Sequence, residues 1–374
     1  MRSERSETTH GRIGRSERLF AAIVAVLAAM KATEAVRRSS VVASLAKEDA
    51  SPVTVADFAS QAVVATILAR VLSAIDPSAA SIDILGEESD TMLRDPSQRA
   101  ILDEVVAAAR AADPSLDAAA VLDALAAPRA DPSRSDCWTL DPVDGTKGFL
   151  RGGQYAICLA WIEAGRPVVG AMACPRLSLD VDDPSAPVLG GVVAAAAKGA
   201  GAWWAGADAL ELDDGTVASS GAGPLLAQME RLQTPPWTRD GAGGGLRPIR
   251  LALSFEKAHG DASAAEVLAA RCGPLAEPLR LDSASKYVLV AHGRADVYLR
   301  IPHGTRKEQA WDHAAGVVIA EEAGCCAIDL DGRPLDFGRG ATLSANRGII
   351  VAPEPLARAL VAAGGAGDTV GGGT

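Results

Sequence analysis

Apolar residues at 58, 62, 63, 67, 68 and 71 recur at three- and four-residue spacing, which predicts a helix from about Ala56 onward after a short turn, SPVTV. Residues 19–47 carry the same spacing without Pro or Gly and predict one or two more helices. The pattern then changes. SIDILGEES (81–89) and CWTLDPVD (137–144) read as strands that each end in acids. QYAICLAWIEAGRPVVGAMACP (154–175) predicts a hairpin turning at Ala164-Gly165, and GVVAAAAKGAGAWWA (191–205) a second of the same style, with Trp203 and Trp204 as core or lid residues. Farther on, RPIRLALSF (247–255) predicts a strand and SAAEVLAARCG (263–273) a helix stopped by Gly273. LRLDSASKYVLVAHGRADVYLRIP (279–302) reads strand, helix, strand, and WDHAAGVVIAEEAGC (311–325) a helix with Asp312 as N-cap and Gly324 just past its end.

Alternating β and α elements fall into two halves on either side of TPPWTRDGAGGGLRP (234–248). Residues 1–30 are expected to form an N-terminal extension, 31–185 a metal-binding half, and 186–360 a second α/β half. Within the first half, 90–134 is Ala- and Asp-rich helical material broken by Pro96, Pro114, Pro128 and Pro132, as in an inserted lid. Gly-rich residues 361–374 read as a disordered tail.

Net charge is −11, and no basic footprint for a nucleic-acid polymer is present. An anionic substrate would therefore need local positive charge, and metal ions are the obvious source. Cys137, Cys158, Cys174, Cys272, Cys325 and Cys326 show no CxxC pair, so they read as structural thiols of an intracellular, cytoplasmic protein. The Arg- and Ser-rich start followed by LFAAIVAVLAAM (19–30) has two readings. One is a tail leading into a core helix, since the run is too short to span a bilayer. The other is a plastid or mitochondrial import segment, although Glu4, Glu7 and Glu17 spoil that pattern. No membrane partner is expected, and a monomer is the default.

Acids stand at four element ends: Asp57, Glu87, the pair Asp141/Asp144, and Asp312. Taken singly, each is an ordinary turn or cap residue. Jointly they suit a hard divalent cation, which takes oxygen ligands. Asp-Pro-Val-Asp lets two carboxylates and the Val143 carbonyl converge on ions, and two metals roughly 3.5–4 Å apart clamp an in-line phosphoryl transfer. Gly145 and Thr146 open a helix whose N–H groups face a phosphate. Asp57 is placed to accept the Thr146 proton, making a pair that orients water.

GEES, DPVDGT and WDHAAG, in that order, resemble the lithium-sensitive, magnesium-dependent phosphatases of the inositol monophosphatase superfamily. SPVTVAD, DGTKGFLRGGQYA, LDSASKY and ADVYLR resemble its 3′(2′),5′-bisphosphate nucleotidases; inositol phosphatases more typically have Thr-Asn in place of Lys147-Gly148. The likeness runs from about Lys31 to Pro353. It implies a layered α/β fold, an αβαβα sandwich, with two to three Mg²⁺ ions held by Glu87, Asp141, the Val143 carbonyl, Asp144 and Asp312. It also implies Asp57 and Thr146 as the water-activating pair. His259, Ser283, Lys286 and Arg300, with Thr146 and Asp312, would hold the substrate, a bisphosphorylated nucleotide. The family commonly has two serines and a second histidine after His259, where this chain has Gly260, Asp261 and Ala262, which puts the 5′-phosphate or base contacts in question. The implied reaction converts adenosine 3′,5′-bisphosphate to AMP, with 3′-phosphoadenylyl sulfate as a further substrate. Its rivals are the same chemistry on inositol phosphates, and an inactive nucleotide binder.

Overall fold

The computed structural model describes residues 13–39, 44–46, 52–77, 82–126, 130–133, 135–179, 183, 187–188, 190–212, 221–240, 246–256, 260–304 and 307–365. Helix α1 (Arg15–Arg38) lies against α2 (Val55–Ile75), and the short pair β1 (Ser44–Ala46) and β2 (Pro52–Thr54) links them. Strands β3 (Ile84–Gly86), β4 (Cys137–Asp144), β5 (Ala156–Glu163), β6 (Arg166–Cys174), β7 (Val192–Ala197), β8 (Gly201–Gly206) and β9 (Glu230–Leu232) form one sheet in chain order. Only β3 and β4 pair in parallel; the remaining neighbours are antiparallel. The second sheet takes β10 (Leu251–Ser254), β11 (Leu279–Leu281), β12 (Val297–Arg300), β13 (Cys325–Ile328) and β14 (Ile349–Pro353) in the order β11-β10-β12-β14-β13.

Period-two alternation divides the interior into layers. Along β7, Val193, Ala195 and Ala197 join the core under α1 and α2, while Val192, Ala194 and Ala196 face the opposite core. Trp203 and Trp204 of β8 are split in the same way, so both belong to the core. That second core is shared with α7 (Ser285–His292) and α8 (Ala310–Glu322), which lie between the two sheets, and with Tyr298 and Val351 of the second sheet. The far face of the second sheet, through Leu251, Leu253, Val297 and Leu299, packs on α6 (Ala262–Ala270) and α9 (Glu354–Gly365). The layers run α, β, α, β, α, as expected. The β5–β6 turn also falls where anticipated: Ala164 and Gly165 have φ of 51° and 72°, the two positive values a two-residue turn of this hand needs.

Several expected boundaries are revised. The division at residue 30 falls inside α1, whose Leu19–Ala29 stretch is buried; the apolar run is a core helix of the first layer. That helix ends at Arg38 rather than continuing toward 47, because Ser39 closes it, donating its hydroxyl to Val36 O at 2.7 Å. The described residues of 90–134 do not form a lid over the site. Their helices α3 (Arg99–Arg110) and α4 (Ala118–Leu125) pack on α2 and bury Leu102, Val105, Val121 and Leu125 in the first core. The last helix runs to Gly365, past the boundary placed at 360, and residues 366–374 lie outside the described residues.

Candidate active site

The end of β4 is a β-bulge. Asp141 pairs with Cys158 and Asp144 with Ala156, so three steps along β4 match two along β5. Such an extra residue turns side chains away from strict alternation, and Pro142, which has no N–H to leave unpaired, suits the position. The bulge is pinned from several sides. Ser60 of α2 donates its hydroxyl to Pro142 O at 2.8 Å, and Val143 N–H donates to Asp141 Oδ1 at 3.0 Å. Gly145 then adopts φ 87° and opens α5 (Thr146–Arg151); a Cβ there would lie 3.1 Å from the Ser283 Cβ.

Asp57 sits at the N3 position of α2 in a capping box. Its Oδ2 accepts from Thr54 N–H at 2.8 Å and from the Thr54 hydroxyl at 2.7 Å. The other oxygen, Oδ1, faces Thr146 Oγ1 at 3.4 Å, and Thr146 Oγ1 also lies 3.1 Å from the Val143 carbonyl. One carboxylate oxygen is thus occupied in holding the helix start, and the other is turned toward Thr146.

Asp312 does not cap α8. Gln309 holds the N-cap position without a side-chain bond, and Asp312 follows at N3, where its carboxylate points to β4. Oxygens of Asp141, Asp144 and Asp312 all come within 4.8 Å of one another. Burial, then the charges of Glu87, Asp144, Asp312 and Asp57, push the Asp141 carboxyl well above the usual range. Burial and Asp144 do the same to Asp312. Asp144 is raised by burial but eased by Lys286, the Ala284 N–H and Arg300. Glu87, just past β3, bonds through its N–H to Leu140 O at 3.3 Å and adds its charge to all three. Gln61 of α2 fixes the neighbouring turn, donating to Glu88 O at 2.8 Å and accepting from Glu88 N–H at 3.0 Å. The donor set is all oxygen, buried at Asp141 and Val143 and half-buried at Glu87, Asp144 and Asp312, with carboxylates that repel one another, which fits a hard divalent cation.

Across from the acids stand Ser283, Lys286 and Arg300. Lys286 is buried, and its ammonium donates to the carbonyls of Leu281, at 3.2 Å, and of Ser283. Burial pulls its pKa down to about 8 against the pull of Asp144. Arg300 pairs with Glu308 at 2.5 Å. Glu308, which the sequence did not single out, also lies 3.4 Å from His313 Nε2, and His313 Nδ1 meets the Tyr287 hydroxyl at 3.0 Å. Burial would raise the Glu308 carboxyl, yet the His313 hydrogen bond and the Arg300 charge hold it at about 2. Glu308, Asp312 and His313 also lie within 4.8 Å, but Arg300 already occupies Glu308. His259 lies outside the described residues.

A model of the inositol monophosphatase family matches residues 16–364. The chain belongs to that family. It is 34% identical over 357 residues to a 3′(2′),5′-bisphosphate nucleotidase of Schizosaccharomyces pombe, covering 91% of this chain and 93% of the relative. A nucleotidase of the same name from Oryza sativa is also 34% identical, with 92% of each chain covered. Among solved structures, CysQ of Bacteroides thetaiotaomicron, a bacterial member of the family, superposes with a TM-score of 0.58 at 20% identity, over 91% of this chain and 98% of its own. That likeness is one of fold.

Proposed function

We propose that this chain hydrolyses the 3′-phosphate, or a 2′-phosphate, of adenosine 3′,5′-bisphosphate to give AMP and inorganic phosphate, with 3′-phosphoadenylyl sulfate as a further substrate. The observation that carries it is the convergence of Asp141, Asp144 and Asp312 within 4.8 Å beside a Thr146 hydroxyl 3.4 Å from Asp57. Relatives at 34% identity named as bisphosphate nucleotidases support the choice of substrate.

Glu87, Asp141, Asp144, Asp312 and the Val143 carbonyl would hold two to three Mg²⁺ ions. Bound there, Mg²⁺ polarises a phosphoryl oxygen and lowers the pKa of water. The chain's own groups do the remainder. Asp57 Oδ1 accepts the Thr146 hydroxyl proton, leaving the oxygen lone pairs of Thr146 to accept from a water and orient it. Attack forms a bond from water oxygen to phosphorus and breaks the bond to the ribose oxygen, which takes up one of the two protons of the attacking water while the phosphate keeps the other. Lys286 and Arg300 supply cations for the second phosphate by exchanging the acceptors they now hold. Ser283 adds a hydroxyl, and His259 a nucleotide contact.

The test is phosphate release by the purified chain with Mg²⁺ from adenosine 3′,5′-bisphosphate and from inositol 1-phosphate, repeated in excess chelator. The bisphosphate should be the better substrate, and chelation should abolish turnover. Preference for inositol 1-phosphate would move the substrate to the inositol branch, and full activity in chelator would remove the metals.

A further inference from the structure

We propose that Asp282 is a positioning residue for Thr146, fastening α5 to the second half of the molecule through Arg151. The inference rests on the role given to Thr146 above.

Helix α5 has six residues, too few to hold its own orientation by backbone bonds alone. Its direction has to come from what touches it, and three consecutive residues of one turn meet the helix, its N-cap and the strand end just before it. Asp282 Oδ2 accepts from Arg151 Nη2 at 2.9 Å, with the aspartate 7% exposed and the arginine 50%. Ser283 backs onto Gly145, and Ala284 N–H donates to Asp144 Oδ2. The fit is close at Gly148, where a Cβ would lie 2.7 Å from both Cβ and Oδ2 of Asp282 and 2.3 Å from Gln154 O. A larger residue at 148 would push the helix off the turn.

The turn is itself held in an unusual shape. Ser283 has φ 68°, a left-handed conformation that a serine seldom adopts. The Lys286 ammonium bonded to Ser283 O, and the Ser283 and Ser285 hydroxyls 2.8 Å apart, keep it there. Asp282 therefore stands on a braced support, and Arg151 transmits that position to the helix that begins at Thr146. Arg151 also reaches Glu256 at 2.6 Å, but Glu256 is 21% exposed and lies in a different segment.

The experiment uses the full chain with Mg²⁺ and measures kcat and KM on adenosine 3′,5′-bisphosphate and adenosine 3′-monophosphate. Arg151→Ala should lower kcat about ten- to a hundredfold, the scale of a misplaced reacting group, with KM changed by less than about twofold on both substrates. Arg151→Lys, which can still reach Asp282, should restore most of the rate. Glu256→Gln should cost less than Arg151→Ala; an equal cost would assign the effect to Glu256 and overturn the proposal. The deciding measurement is the double variant. In a Thr146→Ala background Arg151→Ala should cost less than about twofold, because nothing remains to be misplaced. A full multiplicative loss in that background, or a loss confined to KM, overturns the inference. If Thr146→Ala is inactive while Arg151→Ala keeps the parental kcat, only the fastening fails. If Thr146→Ala itself is near parental, the role given to Thr146 fails, and this inference with it.

Discussion

Asp141 is buried and Asp144 and Asp312 half-buried facing it, and burial first raises the carboxyl pKa of each, with neighbouring acids adding to the rise. On the other wall, Lys286 and Arg300 are as deeply placed but already have acceptors, the Leu281 and Ser283 carbonyls for one and Glu308 for the other. One wall is built with its charge only partly offset, at Asp144 by Lys286, the Ala284 N–H and Arg300, the other with its cations paired. A partly offset wall draws in something from outside, as a metal site must. A paired wall contributes to binding by exchanging partners and through donors not yet used, such as Arg300 Nε, which is buried with no hydrogen-bond partner among the described residues. The acids should therefore govern whether the reaction runs, and the cations which molecule undergoes it.

The largest test of that division falls on the pair beside the acids. Asp57→Asn and Thr146→Ala should each lower kcat by about 10²–10⁴, with KM for the bisphosphate within a few-fold, since neither group is aimed at the nucleotide. Steady-state kinetics on the two variants decides it. Near-normal kcat in either would take that residue out of water activation.

Next in size are the cations. A charge-assisted hydrogen bond contributes about 1.5–3 kcal/mol, roughly ten- to a hundredfold in kcat/KM. Lys286→Ala and Arg300→Ala should lose that much on adenosine 3′,5′-bisphosphate and far less on adenosine 3′-monophosphate, which lacks the second phosphate. Equal losses on both would mean that Lys286 and Arg300 serve the turn and Glu308 instead of reading the substrate, sharpening the paired wall into a purely structural one.

These two walls were unequally legible in the sequence. The acids lie in short contiguous motifs at element ends, where a few residues fix a strand, a turn and a ligand type together. Pro142 and Gly145 even announce the bulge and the left-handed residue that aim them. Glu308 carries no such mark. It sits in a loop, and its partners Arg300 and His313 are assigned only by the packing of α8 on the second sheet. Ser283 is similar: a left-handed serine has no signature, because the sequence offers Gly or Asn as the usual sign of that conformation. Asp312 looked like a cap because acids favour that place, whereas the N-cap lies three residues earlier at Gln309. The boundary at residue 30 cuts α1 because the Arg- and Ser-rich start and the apolar run after it also suit an import segment, whereas the run is apolar on most sides because α2 and the first sheet enclose it.

The smallest predicted effect addresses the acidic wall directly, as stability rather than rate. The Asp141 carboxyl is raised above its ordinary value of 3.8 by burial first and by Glu87, Asp144, Asp312 and Asp57 after it. Below 3.8 the group is protonated in both the folded and the unfolded chain and costs nothing. As pH rises past that value the unfolded chain ionises freely while the folded chain resists, so the stability the neutral carboxyl allows is lost with increasing pH. Asp141→Asn removes that loss. In chelator at pH 7 the variant should melt a few degrees above the parent, given that 1 kcal/mol moves Tm by about 2–4 °C in a domain of ~150–250 residues. The gap should narrow as pH falls toward the ordinary carboxylate range. Saturating Mg²⁺ should reverse the order, because the parent then gains ligand-binding free energy that the amide variant largely forgoes. Thermal unfolding of both proteins over a pH series, with chelator and with Mg²⁺, provides the measurement. A parent that melts above Asp141→Asn in chelator at pH 7 would mean that the acids are compensated within the protein, and the contrast between the two walls would disappear.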